Sequence, residues 1–149
     1  MSEKLRLMGT RRNKLDAKGR LAVPAKWREQ LGDTVVVTIG LEHCLDVYRE
    51  EDFNDLMDKL EDTPFISDPN VRQYRRNMFA GGETLDMDKQ GRILLTPEHR
   101  KYATMESEMD VIVKGVGDHL EIWNEDVWNA YNEGFSMEES AKALAGHGF

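Results

Sequence analysis

The chain has 149 residues, 40% hydrophobic side chains and a formal net charge of −8, a composition typical of a small folded globular protein. Its one cysteine excludes a disulfide framework and a zinc site built on cysteines. No apolar run reaches the length of about 18 residues that spans a membrane, and the first residues lack the apolar core of a signal peptide, so we expect a cytoplasmic protein.

The first half of the chain is predicted to run in the order strand, turn, strand, short helix, hairpin and helix. The turn is an Asp-x-x-Gly-Arg motif at residues 16–20, and Pro24 suits the first turn of the short helix, where a missing N–H is no loss. The β-branched run 34–39 and the alternating segment 45–48 predict the two strands of the hairpin. Apolar residues then recur at the spacing of one helical face: Phe53, Leu56, Met57 and Leu60.

Residues 61–82 are predicted to form a structured connector between two halves. Thr63-Pro64 and a second proline pair at 68–69 mark turns at its start. Residues 70–78 are compatible with a helix that ends at the glycine pair 81–82. This composition differs from that of a flexible Gly/Ser linker.

The second half repeats the order of the first. Its Asp-x-x-Gly-Arg motif lies at residues 88–92, 72 positions after the first copy. Thr96 is placed to cap the short helix that Pro97 opens. The run 111–113 and the alternating segment 120–123 predict the second hairpin. A less complete helical stripe follows: Trp128, Tyr131 and Phe135.

The two copies differ slightly in length. Aligning their prolines places one extra residue between Arg92 and Pro97, and the remaining difference falls in later loops. A unit of about 50 residues buries too small a fraction of its surface to be stable alone. We therefore expect the two halves to intertwine around a shared core.

The charge is distributed unevenly along the chain. Residues 1–28 carry nine basic and two acidic side chains, or +7, whereas the other 121 residues carry 11 basic and 26 acidic ones, or −15. A basic stripe on an acidic body is the pattern of a protein that offers one face to a polyanion. A smaller basic cluster lies in the connector and could face DNA or a neighbouring subunit: Arg72, Arg75 and Arg76.

The first Asp-x-x-Gly-Arg motif admits a structural and a DNA-binding interpretation. We assign Asp16 and Gly19 to a tight turn, because glycine supplies an unusual backbone angle and a carboxylate repels phosphate. We assign Arg20 to DNA, where a guanidinium can bind phosphate or bridge O6 and N7 of guanine. Basic neighbours are predicted to share this interface: Lys18, Lys14, Arg12 and Arg11.

The second motif is predicted to be structural. Arg92 has Asp86 and Asp88 close by, so it is expected to complete the fold or a subunit contact, and Asp88 and Gly91 to form its turn. We expect the matched aromatic residues to lie in the core: Trp27, Tyr48, Trp123 and Trp128.

The sequence gives no sign of an enzyme or of a bound cofactor. The histidines lack metal-ligand spacing, so no metal site is expected, and no catalytic constellation or nucleotide-binding loop is visible. Acidic residues at 50–52 and 125–126 are interpreted as helix-opening residues that complement the helix N-terminus.

The paired motif resembles that of the MraZ family. The matching residues are 14–20 with Pro24, 85–95 and 116–123, and the likeness runs from about Leu7 to Glu133, with residues after Gly134 variable. The resemblance implies an α+β fold of tandem duplicated SpoVT/AbrB-like swapped-hairpin β-barrel halves with short helices. It places such domains at 7–54 and 83–128, with a helical connector at 55–82 and a C-terminal helix and tail at 129–149.

The resemblance also implies a function. MraZ-like proteins are transcriptional regulators of the division and cell-wall gene cluster, and they bind short direct repeats upstream of their own operon as rings of eight or more subunits. Arg20 resembles the family's DNA-contacting arginine, with Lys18 and Lys14 beside it. The expected partners are double-stranded DNA and further copies of the chain, with nucleoid association and no membrane. An antitoxin-like protein-interaction module of the same fold is the alternative.

Overall fold

The computed structural model describes residues 3–63 and 68–149, so the turn predicted at Pro64 lies outside the described residues. The first half contains β1 (Leu7–Lys14), β2 (Arg20–Ala22), α1 (Ala25–Leu31), β3 (Thr34–Ile39), β4 (Leu45–Arg49) and α2 (Glu50–Glu61). The connector holds α3 (Pro69–Ala80). The second half contains β5 (Glu83–Asp86), β6 (Arg92–Leu94), α4 (Pro97–Tyr102), β7 (Asp110–Gly117), β8 (His119–Asn124) and α5 (Glu125–Asn132), followed by α6 (Met137–Lys142). The predicted order of elements is confirmed in both halves.

The strands form a six-stranded antiparallel sheet in the order β1-β7-β8-β4-β3-β5 and a two-stranded ribbon of β2 and β6. Four pairings join one half to the other: β1 with β7, β2 with β6, β3 with β5 and β4 with β8. The expected intertwining of a duplicated α+β unit is therefore confirmed. The proposed domain limits at 54/55 and 128/129 fall within α2 and α5.

The sequence offset between the two copies stays at 72 residues from their Asp-x-x-Gly-Arg turns to the start of their short helices. Pro24 is the N-cap of α1 and Thr96 is the N-cap of α4, again 72 residues apart. The extra residue between Arg92 and Pro97 is not an insertion in the structure, because Pro97 occupies the first helical position whereas Pro24 precedes its helix. The predicted cap is confirmed, since the Thr96 hydroxyl accepts a hydrogen bond from the His99 N–H at 3.1 Å.

The core takes alternate strand residues from both halves. Buried positions on the hairpin strands are Val35, Val37, Leu45, Val47, Val111, Val113, Leu120 and Ile122. Trp27 is fully buried, and its indole donates to the Met8 carbonyl at 3.1 Å. Tyr48 and Trp123 are buried as predicted, whereas Trp128 is only half-buried, because it packs edge-on against Trp123 from outside the sheet.

The acidic residues that were predicted to begin helices lie in the first turns of α2 and α5. Glu50, Glu51 and Asp52 form the first turn of α2, and Glu125 and Asp126 form that of α5. In the part of the chain that the structure describes, no helix has the length and apolar character needed to cross a bilayer.

Candidate nucleic-acid interface

The ribbon of β2 and β6 places one strand from each half side by side. Leu21 lies opposite Ile93, and both are buried, so they fix the ribbon to the core. Side chains alternate along a strand. The residues on either side of this pair therefore face outward: Arg20 and Ala22 on β2, Arg92 and Leu94 on β6.

The first motif forms a tight turn built around the Asp16 carboxylate. Asp16 Oδ1 accepts hydrogen bonds from the backbone N–H groups of Lys18 and Arg20, each at 2.9 Å. Its Oδ2 accepts from Arg20 Nε at 2.6 Å. The backbone hydrogen bond from Arg20, together with the Arg20 guanidinium and the Lys18 N–H, lowers the pKa of Asp16 to about 2. The carboxylate therefore stays charged at neutral pH and holds the Arg20 side chain in place.

The second motif reproduces this geometry. Asp88 Oδ1 accepts from the N–H groups of Gln90 and Arg92 at 2.9 Å, and Oδ2 accepts from Arg92 Nε at 2.8 Å. The pKa of Asp88 is lowered chiefly by the Arg92 backbone hydrogen bond. Gly91 adopts φ +74° and Gly19 adopts φ +83°, the left-handed region that other residues rarely enter.

The two turns are tied to opposite halves of the chain. The Gly19 carbonyl accepts from the Leu95 N–H at 3.2 Å, and the Gly91 carbonyl accepts from the Val23 N–H at 2.9 Å. In addition, Arg92 Nη1 lies 3.6 Å from Asp16 Oδ2. Arginines from both copies therefore flank one carboxylate, and the two turns form a single surface.

An arginine from the opposite half covers each turn. Arg100 of α4 lies over Gly19, where an added Cβ would stand 2.9 Å from its Nε. Arg28 of α1 lies over Gly91 in the same way. The turns and these covering residues carry two carboxylates, Asp16 and Asp88, and six basic side chains: Lys18, Arg20, Arg28, Lys89, Arg92 and Arg100. Each turn thus gains a basic side chain from the opposite half, which the charge along the sequence did not indicate.

The other predicted contacts are distributed over β1 and do not form one face. Arg12 lies in ion pairs with Glu125 at 2.8 Å and Asp110 at 3.5 Å, so its charge is partly neutralised. Lys14 is exposed and lies opposite Asp110 in the β1–β7 register. Arg11 is exposed, and its Nη1 donates to the Thr10 carbonyl at 3.0 Å. Strand alternation puts Arg11 on the opposite face from its two basic neighbours.

Of the five predicted DNA contacts, only Lys18 and Arg20 lie together on the first turn. Sequence reasoning counted Arg28 in the basic segment 1–28 but singled out neither Arg28 nor Arg100 as a contact, although they repeat at the same 72-residue spacing as the motif itself. The connector arginines lie on α3, where Arg76 donates to Gln73 at 2.6 Å.

Comparison with known proteins shows the family. A family model described as "MraZ protein, putative antitoxin-like" matches the chain twice, at residues 7–76 and 78–146. The chain belongs to the MraZ family. The match extends to residue 146, past the limit at Glu133 that the motifs indicated.

Curated members of the MraZ family are similar along most of this chain. A protein of Carboxydothermus hydrogenoformans is 40% identical over 139 residues, which cover 92% of this chain and 95% of that protein. One of Desulforamulus reducens is 42% identical over 138 residues, which cover 93% of this chain and 94% of that protein. Both relatives are named "Transcriptional regulator MraZ".

Proposed function

We propose that this MraZ-family chain regulates transcription by binding double-stranded DNA in a sequence-specific manner. The observation that carries the proposal is the β2–β6 ribbon, which joins both Asp-x-x-Gly-Arg turns into one surface with six basic side chains. A two-stranded ribbon fits the major groove of B-DNA, where base edges can be distinguished. The names of the curated relatives support a role in transcription.

The proposed DNA contacts differ in whether the basic side chain is held in place by a neighbouring residue. Arg20 is fixed through Nε by Asp16, which leaves its terminal nitrogens to bridge guanine O6 and N7 or to bind phosphate. Lys18 and Lys14 are exposed and suit phosphate contacts. Arg11 and Arg12 are flanking phosphate contacts in this proposal, and Arg12 shares its charge with Glu125.

Assembly strengthens binding in this proposal. The MraZ resemblance suggests a homo-oligomeric ring of eight or more subunits on direct repeats upstream of the operon, in the division and cell-wall gene cluster. One ribbon makes few contacts, but several ribbons on a ring engage repeated boxes at high effective concentration. Association with the nucleoid follows from such DNA binding.

The test compares two equivalent arginines. Arg20→Ala and Arg92→Ala remove the same charge from matching turns, and each is titrated against DNA from upstream of its own gene and against unrelated DNA. We expect Arg20→Ala to weaken specific binding about 5- to 150-fold, and more than Arg92→Ala does, because a bidentate base contact is worth about 1–3 kcal/mol. Light scattering on both variants separates a loss of DNA contact from a loss of assembly, which Arg92→Ala would show if Arg92 makes a subunit contact.

If the two variants lose the same affinity for specific DNA, Arg20 contributes only its charge to binding. If Arg20→Ala binds specific DNA as tightly as the parent, Arg20 does not belong to the interface.

Salt dependence separates DNA binding from the antitoxin-like alternative. Contacts with several phosphates make affinity fall steeply with salt concentration. A shallow salt dependence, combined with tight binding of another protein, would favour the protein-interaction module.

A further inference from the structure

A second polar cluster lies on the sheet, on the side opposite the core. Strand alternation puts residue 46 of β4 and residues 119 and 121 of β8 on this side, and residue 44 immediately precedes β4, with its Sγ 3.7 Å from Asp46 Oδ1. This side of the sheet therefore carries four metal-ligating side chains: Cys44, Asp46, His119 and Glu121. The first two come from the first half of the chain and the last two from the second. We call them the four-donor cluster. None of them belongs to the candidate nucleic-acid interface.

The β4–β8 register places two carboxylates directly across from each other. Asp46 pairs with Glu121, and Tyr48 pairs with His119 and stacks on its ring at 4.8 Å. Like charges on directly opposed strand residues destabilise a sheet. Both carboxylates are also largely sheltered, with side-chain exposures of 13% and 25%. The His119 imidazole lies against both carboxylates, with Nε2 3.7 Å from Asp46 and 3.9 Å from Glu121, and a metal cation bound between them would offset the same repulsion.

The distances fit a single ion. Asp46 Oδ1 lies 3.7 Å from Cys44 Sγ and 3.7 Å from His119 Nε2, and His119 Nε2 lies 3.9 Å from Glu121 Oε2. Ligand atoms of the cysteine and the two carboxylates all lie within 4.8 Å of one another, and His119 Nε2 lies beside this group, against the carboxylates. Ligand atoms about 2.0–2.3 Å from a tetrahedral zinc ion are about 3.3–3.8 Å apart. The donor–donor distances of 3.7 Å, 3.7 Å and 3.9 Å lie at or just beyond the upper end of this range.

Neighbouring groups orient the donors toward one another. His119 Nδ1 donates to Asp118 at 2.6 Å, which leaves Nε2 to face the carboxylates. Glu121 Oε1 accepts from the Trp123 indole at 2.9 Å, which leaves Oε2 to face His119. A carboxylate behind a histidine and a hydrogen bond behind a ligating carboxylate are the usual outer shell of a metal site.

An entrance to the cluster is present. A cavity of about 370 Å³ opens beside Asp46, His119 and Glu121, and three tyrosines line it: Tyr48, Tyr74 and Tyr102. Gly40 also lines this cavity and lies close to two of the donors, because a Cβ there would stand 2.6 Å from both Asp46 Oδ1 and Cys44 Sγ.

We propose that the four-donor cluster binds one divalent transition-metal ion, with Zn²⁺ as the best match. Thiolate, imidazole and carboxylate ligands together suit zinc, whereas Mg²⁺ and Ca²⁺ take oxygen ligands. Coordination replaces the Cys44 S–H bond with a sulfur–metal bond and the Nε2–H bond of the protonated His119 with a nitrogen–metal bond, and both protons are released to solvent. The ion then links β4 of one half to β8 of the other and stabilises the folded chain. Sequence spacing alone could not indicate the site, because its donors come from two halves.

Cobalt is a specific probe for this site. Cys44 is the only cysteine in the sequence, so any thiolate-to-cobalt charge-transfer band must come from it. The full-length chain, stripped with a chelator, is titrated with Co²⁺ alone. We expect the band to saturate at one Co²⁺ per chain, together with visible bands of tetrahedral cobalt, and to disappear when Zn²⁺ is added.

Variants separate the ligands from their surroundings. Cys44→Ser should abolish the band, and Asp118→Asn should keep it while weakening cobalt affinity about 10–100-fold, as loss of an outer-shell partner does. His43→Gln is the matched control, because His43 is the sequence neighbour of Cys44 but its Nδ1 faces the Tyr102 carbonyl instead. This control should titrate like the parent.

Thermal unfolding gives an independent measurement. Zn²⁺ should raise the unfolding midpoint of the parent and of His43→Gln, but not that of Glu121→Gln, with circular dichroism checking that each variant folds. A parent chain without a charge-transfer band in excess Co²⁺ would overturn the proposal and leave the cluster as a metal-free ion-pair network. A Zn²⁺-induced shift of equal size in the parent and Glu121→Gln would also overturn it, by placing the metal elsewhere.

Discussion

At the scale of single residues, the Asp16 carboxylate links the fold to the proposed DNA contact. It holds the turn through two backbone N–H groups and positions Arg20 through the guanidinium. Removing it should therefore loosen the turn and the side chain together. An aspartate repels phosphate, yet Asp16 is needed beside Arg20 because its carboxylate fixes the orientation of the Arg20 side chain.

The depressed pKa of Asp16 predicts how stability depends on pH. Its pKa is about 2 in the folded chain, below the ordinary value of 3.8. The stabilisation is therefore fully present above pH 3.8 and is lost as pH falls from there through 2. Unfolding midpoints measured from pH 6 to pH 2 should fall more steeply for the parent than for Asp16→Asn. Asp55→Asn, at an exposed position on α2, is the charge control and should follow the parent.

Gly19 is expected to tolerate no side chain. Alanine there meets two penalties: the positive φ, which costs roughly 1–2 kcal/mol, and contact with Arg100. Gly117→Ala is the matched control, because Gly117 has φ +92° but no atom within 4 Å of its added Cβ. Chemical denaturation should show a larger loss of stability for Gly19→Ala. If adding Arg100→Ala recovers none of the difference, the contact is not its cause.

At the scale of elements, the two short helices are matched but capped differently. The Thr96 hydroxyl caps α4, whereas Pro24 gives α1 no side-chain cap. Thr96→Ala should therefore lower the free energy of unfolding by about 1 kcal/mol, and Thr96→Ser should retain most of the stability. Denaturant titration of both variants checks this. A loss of the same size in the serine variant would assign the effect to the threonine methyl group rather than to the cap.

Local periodicity predicted the elements but not their partners. The alternation at 45–48 and 120–123 predicts two strands, and the structure contains both. It does not predict that β4 and β8 pair, and this pairing is what brings Asp46 beside Glu121. Likewise, the turn at Gly19 follows from its motif, but the position of Arg100 above it depends on the contact between halves. Proline misaligned the copies because it is the N-cap residue of α1 but the first helical residue of α4.

At the scale of the whole molecule, each half depends on the other for its sheet. Without the second half, β1 loses β7, β2 loses β6, and the remaining hairpin of β3 and β4 loses both of its neighbours. An isolated hairpin is marginally stable in water at best. The connector therefore does not link two separately folded domains. It joins two interleaved parts of one core.

This interleaving predicts how the chain behaves when it is divided at the proposed 82/83 boundary. A fragment of residues 1–82 should lack cooperative unfolding at low concentration, because its core residues face no partner strands. Mixing it with residues 83–149 should restore the parent's circular dichroism and a cooperative transition. Because the halves repeat the same unit, two copies of residues 1–82 could also pair, and their unfolding would then depend on concentration. Cooperative unfolding of this fragment as a monomer, independent of concentration, would contradict the interleaved core.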